Sequence, residues 1–144
     1  MEQLNRAVAS VGQIVADFEM ETYLPAEGRF DKISSLSLKQ QGKWTVLFFY
    51  PADFTFVCPT ELADLAGRYS ALQALDVEVI AISTDTKFAH LAWRNSEKLL
   101  QNVGFPMAAD PTGIVSQQFG VYDPGTGLAL RGTFIIDPSG KLVS

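Results

Sequence analysis

Between Lys43 and Ser83 the hydrophobic pattern changes period twice, and no other feature restricts the fold as much. Residues 43–50 (KWTVLFFY) form an apolar, β-rich run without alternation, the pattern of a strand covered on both faces. The run ends at Pro51, which has no N–H to give a sheet. From Pro59 the apolar positions Leu62, Leu65, Ala66, Tyr69, Leu72 and Leu75 recur at steps of mostly three and four, predicting a helix of four or five turns with Pro59 at its first position. Residues 77–83 (VEVIAIS) then read as a second buried strand. Two buried strands joined through a helix must run parallel, so the chain is expected to be an α/β protein with a central sheet flanked by helices.

The flanks fill in the remaining elements. Residues 14–22 alternate Phe18, Met20 and Thr22 with Asp17, Glu19 and Glu21, as a half-buried strand does, and residues 30–38 alternate again. Thr84, Asp85 and Thr86 supply caps for a second helix carrying Phe88, Leu91 and Ala92. Residues 105–109 read as a third strand of the parallel set, followed by the turn Asp110-Pro111-Thr112-Gly113 and a helical piece through Phe119. A break at 123–127 precedes a β-like run over 128–136. The turn Asp137-Pro138-Ser139-Gly140 then closes a terminal hairpin whose second arm, Lys141 to Ser144, is short for a strand.

The length of 144 residues, without repeat or linker, fits one domain over residues 1–144. With 47% hydrophobic and 19% charged residues it can bury roughly 70% of its unfolded surface, which excludes the disordered classes. A formal charge of -5 argues against general attraction to nucleic acid. The single Cys58 and single His90 exclude an internal disulfide and a zinc cage. Residues 1–12 lack a basic and then apolar leader, and the longest apolar run is far below the roughly 20 residues of a membrane span, so a cytoplasmic protein is expected.

Chemistry concentrates in residues 49–61 (FYPADFTFVCPTE), between a buried strand and a long helix. Loops after parallel strands are where open α/β sheets bind ligands. A helix N-terminus offers unpaired N–H groups and a positive dipole end, both of which favour a thiolate at Cys58. A buried cysteine can also be plain core filling. The aromatic-rich loop with a hydroxyl at Thr55 and a rigid Pro51 speaks against that. Asp53 reads as an ordinary capping acid.

Pro51-x-x-x-Thr55-x-x-Cys58 resembles the active-site motif of the peroxiredoxins, and Asp53-Phe-Thr-Phe-Val-Cys-Pro-Thr-Glu61 resembles their typical two-cysteine branch, which includes the peroxidase subunit of bacterial alkyl hydroperoxide reductase. Similar matches run through Val11-Gly12, Asp17-Phe18, residues 79–85, His90-Leu91-Ala92-Trp93, residues 109–113 and residues 131–138. The resemblance implies a thioredoxin-like fold and a thiol peroxidase acting on hydrogen peroxide and alkyl hydroperoxides. Cys58 would be the attacking thiol. Thr55 would hydrogen-bond thiolate and peroxide, Pro51 would shield the pocket, and Arg131 would be the cation beside the sulfur, oriented by Glu61. His90 and Trp93 would pack around the site. No cofactor or metal is implied. An external thiol reductant, either a thioredoxin-like protein or a flavoprotein disulfide reductase system, and a homo-oligomer are.

Three departures stand out. The resolving cysteine of the two-cysteine branch lies in a C-terminal extension that this sequence does not contain, so the chain is expected to be the catalytic core of a longer peroxiredoxin, the alternative being a one-cysteine enzyme that uses an external thiol, and turnover is expected to depend on an added thiol. The Gly-Gly-Leu-Gly segment of easily overoxidised members is absent between Trp93 and Phe105, and Val15-Ala16 replaces the usual Ala-Pro. Two competing readings remain: a Cys58–His90 hydrolase, which requires the two side chains in contact, and a holdase assembling through Phe54 and Phe56.

Overall fold

A computed structural model describes residues 8–56 and 58–144. Val57, inside the motif, and residues 1–7, part of the segment read as leaderless, lie outside the described residues. The parallel set forms as the period change requires: β3 (Trp44–Phe49) pairs parallel with β4 (Val77–Ser83), and β4 with β5 (Met107–Ala109). The hairpin β1 (Glu19–Leu24) and β2 (Arg29–Ser34) joins antiparallel at the β5 edge, and β8 (Gly132–Ile136) joins antiparallel at β3. Among the described residues this gives one six-stranded mixed sheet, ordered β2-β1-β5-β4-β3-β8.

Both faces are covered. Leu47, Phe49, Ile80 and Ile82 point into one core with Leu38 of α1 (Ser35–Gln41) and with Val115 of α4 (Ile114–Gln118). The alternate residues Val79 and Ala81, with Val46 and Phe48 packed beside them, face the other core with Leu62 of α2 (Cys58–Ala74) and Trp93 of α3 (Lys87–Ser96). Leu62 is fully buried, so Leu62→Ala should cost about 2–5 kcal/mol through lost burial and the cavity left behind. Ahead of α4, the buried Asp110 carboxylate accepts from the backbone N–H of Val115 and Ser116 and from the Ser116 hydroxyl, satisfying donors that a helix start leaves free.

Four sequence expectations are corrected. The alternation over 30–38 is not one strand: it stops at Ser34, whose hydroxyl accepts the Ser37 N–H while the Ser37 hydroxyl accepts the Ser34 N–H. This reciprocal cap starts α1 and overrides the alternation. The first strand begins at Glu19 rather than residue 14, because Gly12 to Val15 bond to the C-terminal arm instead. The run 128–136 is split: β7 (Leu128–Ala129) pairs with β6 (Tyr122–Asp123) in a separate ribbon, while Gly132 onward pairs with β3. The third strand is confined to Met107–Ala109, although the Pro106 carbonyl still accepts the Ala81 N–H at 3.0 Å.

The short terminal arm is bonded on both sides. Val143 N–H donates to the Ile135 carbonyl at 2.9 Å, and Leu142 N–H to the Gln13 carbonyl at 3.0 Å. Its outer edge is therefore occupied by the chain's own residues 12–15, which removes open backbone groups that would otherwise invite pairing with another chain.

Candidate active site

The register of the sheet assembles the site. β8 lies antiparallel on β3 with Phe49 opposite Gly132, so Arg131, one residue ahead of Gly132, sits beside the strand end from which the 51–56 loop leaves. Tyr50 N–H still donates to the Ile82 carbonyl at 2.9 Å, holding that strand end against β4. The chain then returns at Cys58, the first residue of α2, one position earlier than the sequence predicts and within the usual uncertainty of a helix end.

Cys58 is 1% exposed, with its sulfur 3.7 Å from Nη2 of Arg131. Nε of the same guanidinium donates to both carboxylate oxygens of Glu61, at 3.1 and 3.0 Å. Glu61 stands three residues after Cys58 on α2, a spacing that puts both on one helix face. The hydrogen bond to Glu61, followed by the charges of Glu61 and Cys58, raises the Arg131 pKa further above its ordinary value. A fixed cation next to a thiol at a helix N-terminus favours the thiolate and can stabilise charge that develops on an atom attacked by it.

The loop contributes less direct contacts. Pro51 is half-buried at the start of the loop, and the exposed Thr55 hydroxyl donates to the Ala52 carbonyl at 3.3 Å rather than to the Cys58 sulfur. Trp93 is buried against Tyr50, ring centroids 5.9 Å apart, with Phe54 at 6.2 Å on the loop. Phe54 and Phe56 are both exposed. His90 is fully buried and does not contact the sulfur: Nδ1 bonds Oδ2 of Asp53 at 2.7 Å, and Nε2 bonds the Ala108 carbonyl at 2.8 Å. The contact that a Cys58–His90 hydrolase requires is not made. Among the described residues no cluster of three His, Cys, Asp or Glu side chains is placed to hold a metal ion, and no helix is long and apolar enough to cross a membrane.

Thr55 does not make the bond to the sulfur that the resemblance implies, and Asp53 also departs from its sequence reading. Asp53 is a buried carboxylate that accepts from the Tyr50 hydroxyl at 2.6 Å and pairs with His90; it is no helix-capping acid. No single-residue pattern announces this, since the partner lies 37 residues away on α3. The sequence reads His90 as packing, and the fold adds two hydrogen bonds to that packing.

The AhpC/TSA family model matches residues 11–144. The chain belongs to that family. Alkyl hydroperoxide reductase C of Bacillus subtilis (strain 168) is 47% identical to this family member over 132 residues, covering 92% of this chain and 68% of the relative. The AhpC of Enterococcus faecalis superimposes with a TM-score of 0.88 at 39% identity, covering 95% of this chain and 80% of that one. The reduced 2-Cys peroxiredoxin of Plasmodium vivax gives 0.85 at 29% identity, covering 93% and 82%. The thioredoxin-like α/β architecture of this AhpC/TSA member is thus shared along nearly its whole length.

Proposed function

We propose that Cys58 is the nucleophile with which this peroxiredoxin, a thiol peroxidase, reduces hydrogen peroxide and alkyl hydroperoxides. The carrying observation is the Arg131 guanidinium, held by Glu61 with Nη2 3.7 Å from the sulfur at the start of α2. The Cys58 thiolate attacks one peroxide oxygen. An S–O bond forms, the O–O bond breaks, and the leaving hydroxide or alkoxide takes a proton and departs as water or alcohol. Cys58 remains as the sulfenic acid.

Thiolate formation alone supplies only a limited acceleration. Lowering any cysteine pKa from about 8.5 to about 6 raises its thiolate fraction at pH 7 from ~3% to ~90%, about thirtyfold, and nucleophilicity falls as the pKa does. The remainder is assigned to donors aimed at the oxygens: the Arg131 guanidinium, backbone N–H groups at the start of α2, and the Thr55 hydroxyl once it leaves Ala52. Pro51 restricts water at the thiol.

The reductant in this reading is an external thiol, from a thioredoxin-like protein or a flavoprotein disulfide reductase system. One thioredoxin-like unit over residues 1–144, homo-oligomeric assembly and a cytoplasmic setting complete the proposal. Trapping with a sulfenic-acid-specific carbon nucleophile tests the intermediate: one adduct on Cys58 per peroxide supports it, and no adduct with peroxide consumed contradicts it.

A further inference from the structure

We propose that Asp53 and His90 are positioning residues for the Cys58 reaction, a buried pair that holds the 51–56 loop in its reactive shape. The inference rests on the reading of Cys58 as the peroxide-attacking thiol. Within residues 51–56 only Asp53 is buried; Pro51 and Ala52 are half-buried, and Phe54, Thr55 and Phe56 are exposed. Asp53 is therefore the loop's one buried residue, and it collects bonds from the end of β3, from the segment after β4 and from α3. Tyr50 O–H donates to Oδ1 at 2.6 Å, His90 Nδ1 meets Oδ2 at 2.7 Å, and the Asp53 N–H donates to Oδ2 of Asp85 at 2.8 Å. Asp85 in turn accepts from the Ser83 hydroxyl at 2.6 Å.

The proton inventory closes. The Ala108 carbonyl can only accept, so Nε2 of His90 carries a hydrogen. Nδ1 and the Asp53 carboxyl then share one proton, and wherever it resides the pair has no net charge and all its contacts are made. Such a network is rigid because each buried group would be costly to leave unpaired. The next residue, Phe54, has φ of +60°, a left-handed conformation that non-glycine residues rarely adopt. Asp53 offsets that strain and fixes the direction in which the chain reverses toward Thr55 and Cys58. Neither Asp53 nor His90 bonds the sulfur, so their influence runs through the loop.

Isosteric substitutions test this. His90→Asn puts an amide near Nδ1, where it reaches Asp53; His90→Gln puts one near Nε2, where it reaches Ala108 and not Asp53. Asp53→Asn accepts from Tyr50 and donates to His90, and Asp53→Ala does neither. The readouts are the second-order rate constant with hydrogen peroxide and the exchange rate of the Asp53 amide proton by NMR, with thermal melts to verify folding. Asp53→Asn and His90→Asn should stay near wild type. Asp53→Ala and His90→Gln should lose about 10- to 100-fold in rate, the scale of a misplaced catalytic group, and exchange the backbone amide at position 53 faster. Equal rates for His90→Asn and His90→Gln, or an unchanged rate in Asp53→Ala, overturn the proposal. If these variants fail to fold, the wild type decides: an Asp53 amide exchanging as fast as an exposed one also overturns it. Exchange is read without peroxide, so a protected amide in a protein whose Cys58→Ser variant still consumes peroxide refutes the reading of Cys58 and leaves the buried pair as an anchor of the loop alone, whereas lost activity in Cys58→Ser with an unprotected amide refutes the pair's role by itself.

Discussion

Arg131 donates through Nε to both oxygens of Glu61 while its Nη2 lies 3.7 Å from the Cys58 sulfur, so one guanidinium joins the first turn of α2 to the residue ahead of β8. Arg131→Met should lower the second-order rate with peroxide by more than the about thirtyfold that thiolate fraction can supply. Glu61→Gln should lower it less, and the double variant should be no slower than Arg131→Met alone, because Glu61 acts through Arg131. Stopped-flow rates that follow only the thiol's ionisation contradict this.

Thr55 donates to Ala52 at 3.3 Å, a long bond for a hydroxyl and easily exchanged for a better acceptor. Thr55→Val should slow peroxide reduction by about 100- to 1000-fold, the scale of one lost transition-state donor, while Thr55→Ser retains most of the rate. Equal rates for Val and Ser variants would remove the hydroxyl from the mechanism.

The parallel core was legible because 44–49 and 77–83 are short, mostly apolar runs rich in β-branched and aromatic residues, and α2 because its apolar residues keep helical spacing. The break at Ser34 was not, because Leu36 and Leu38 continue an alternation that only the Ser34–Ser37 cap interrupts. In the site, Cys58 and Glu61 share a helix turn visible in the sequence. Arg131 is brought to them only by the pairing of Phe49 with Gly132, and a lone arginine carries no sign of that partner. Asp53 shows the limit most clearly: its meaning depends on His90 and Asp85 as well as on the nearby Tyr50, and tertiary structure alone brings the first two to it.

Tyr50 and Tyr69 should make the fold sensitive to alkali. Burial, then the Asp53 charge and hydrogen bond, pushes the Tyr50 pKa well above its ordinary value, and burial with the bond to Glu78 raises that of Tyr69. Both groups hold their protons more tightly when folded. Their stabilising contribution is complete below about pH 10 and is lost as pH rises from there toward the folded values. Denaturant melts from about pH 8 to about pH 11 should show this decline, with tyrosinate absorbance from these two residues appearing only on unfolding. Their ionisation in the folded protein near pH 10 contradicts it.

The 144-residue chain holds one cysteine, so nothing in it can capture a sulfenic acid on Cys58 as an intramolecular disulfide. Without added thiol one equivalent of peroxide should bring Cys58 to the sulfenic acid, and excess peroxide should carry it on to sulfinic and then sulfonic acid at one further equivalent each. Intact-mass titration reads the oxygens added. A species with one added oxygen that persists under excess peroxide contradicts the expectation.

The most direct test of the whole account is peroxide consumption by the wild-type chain and by Cys58→Ser, both supplied with a dithiol. Sustained consumption by the wild type is expected, with none above the uncatalysed background in Cys58→Ser, since Cys58 is the chain's one thiol. Consumption by Cys58→Ser at a rate comparable to wild type would contradict it.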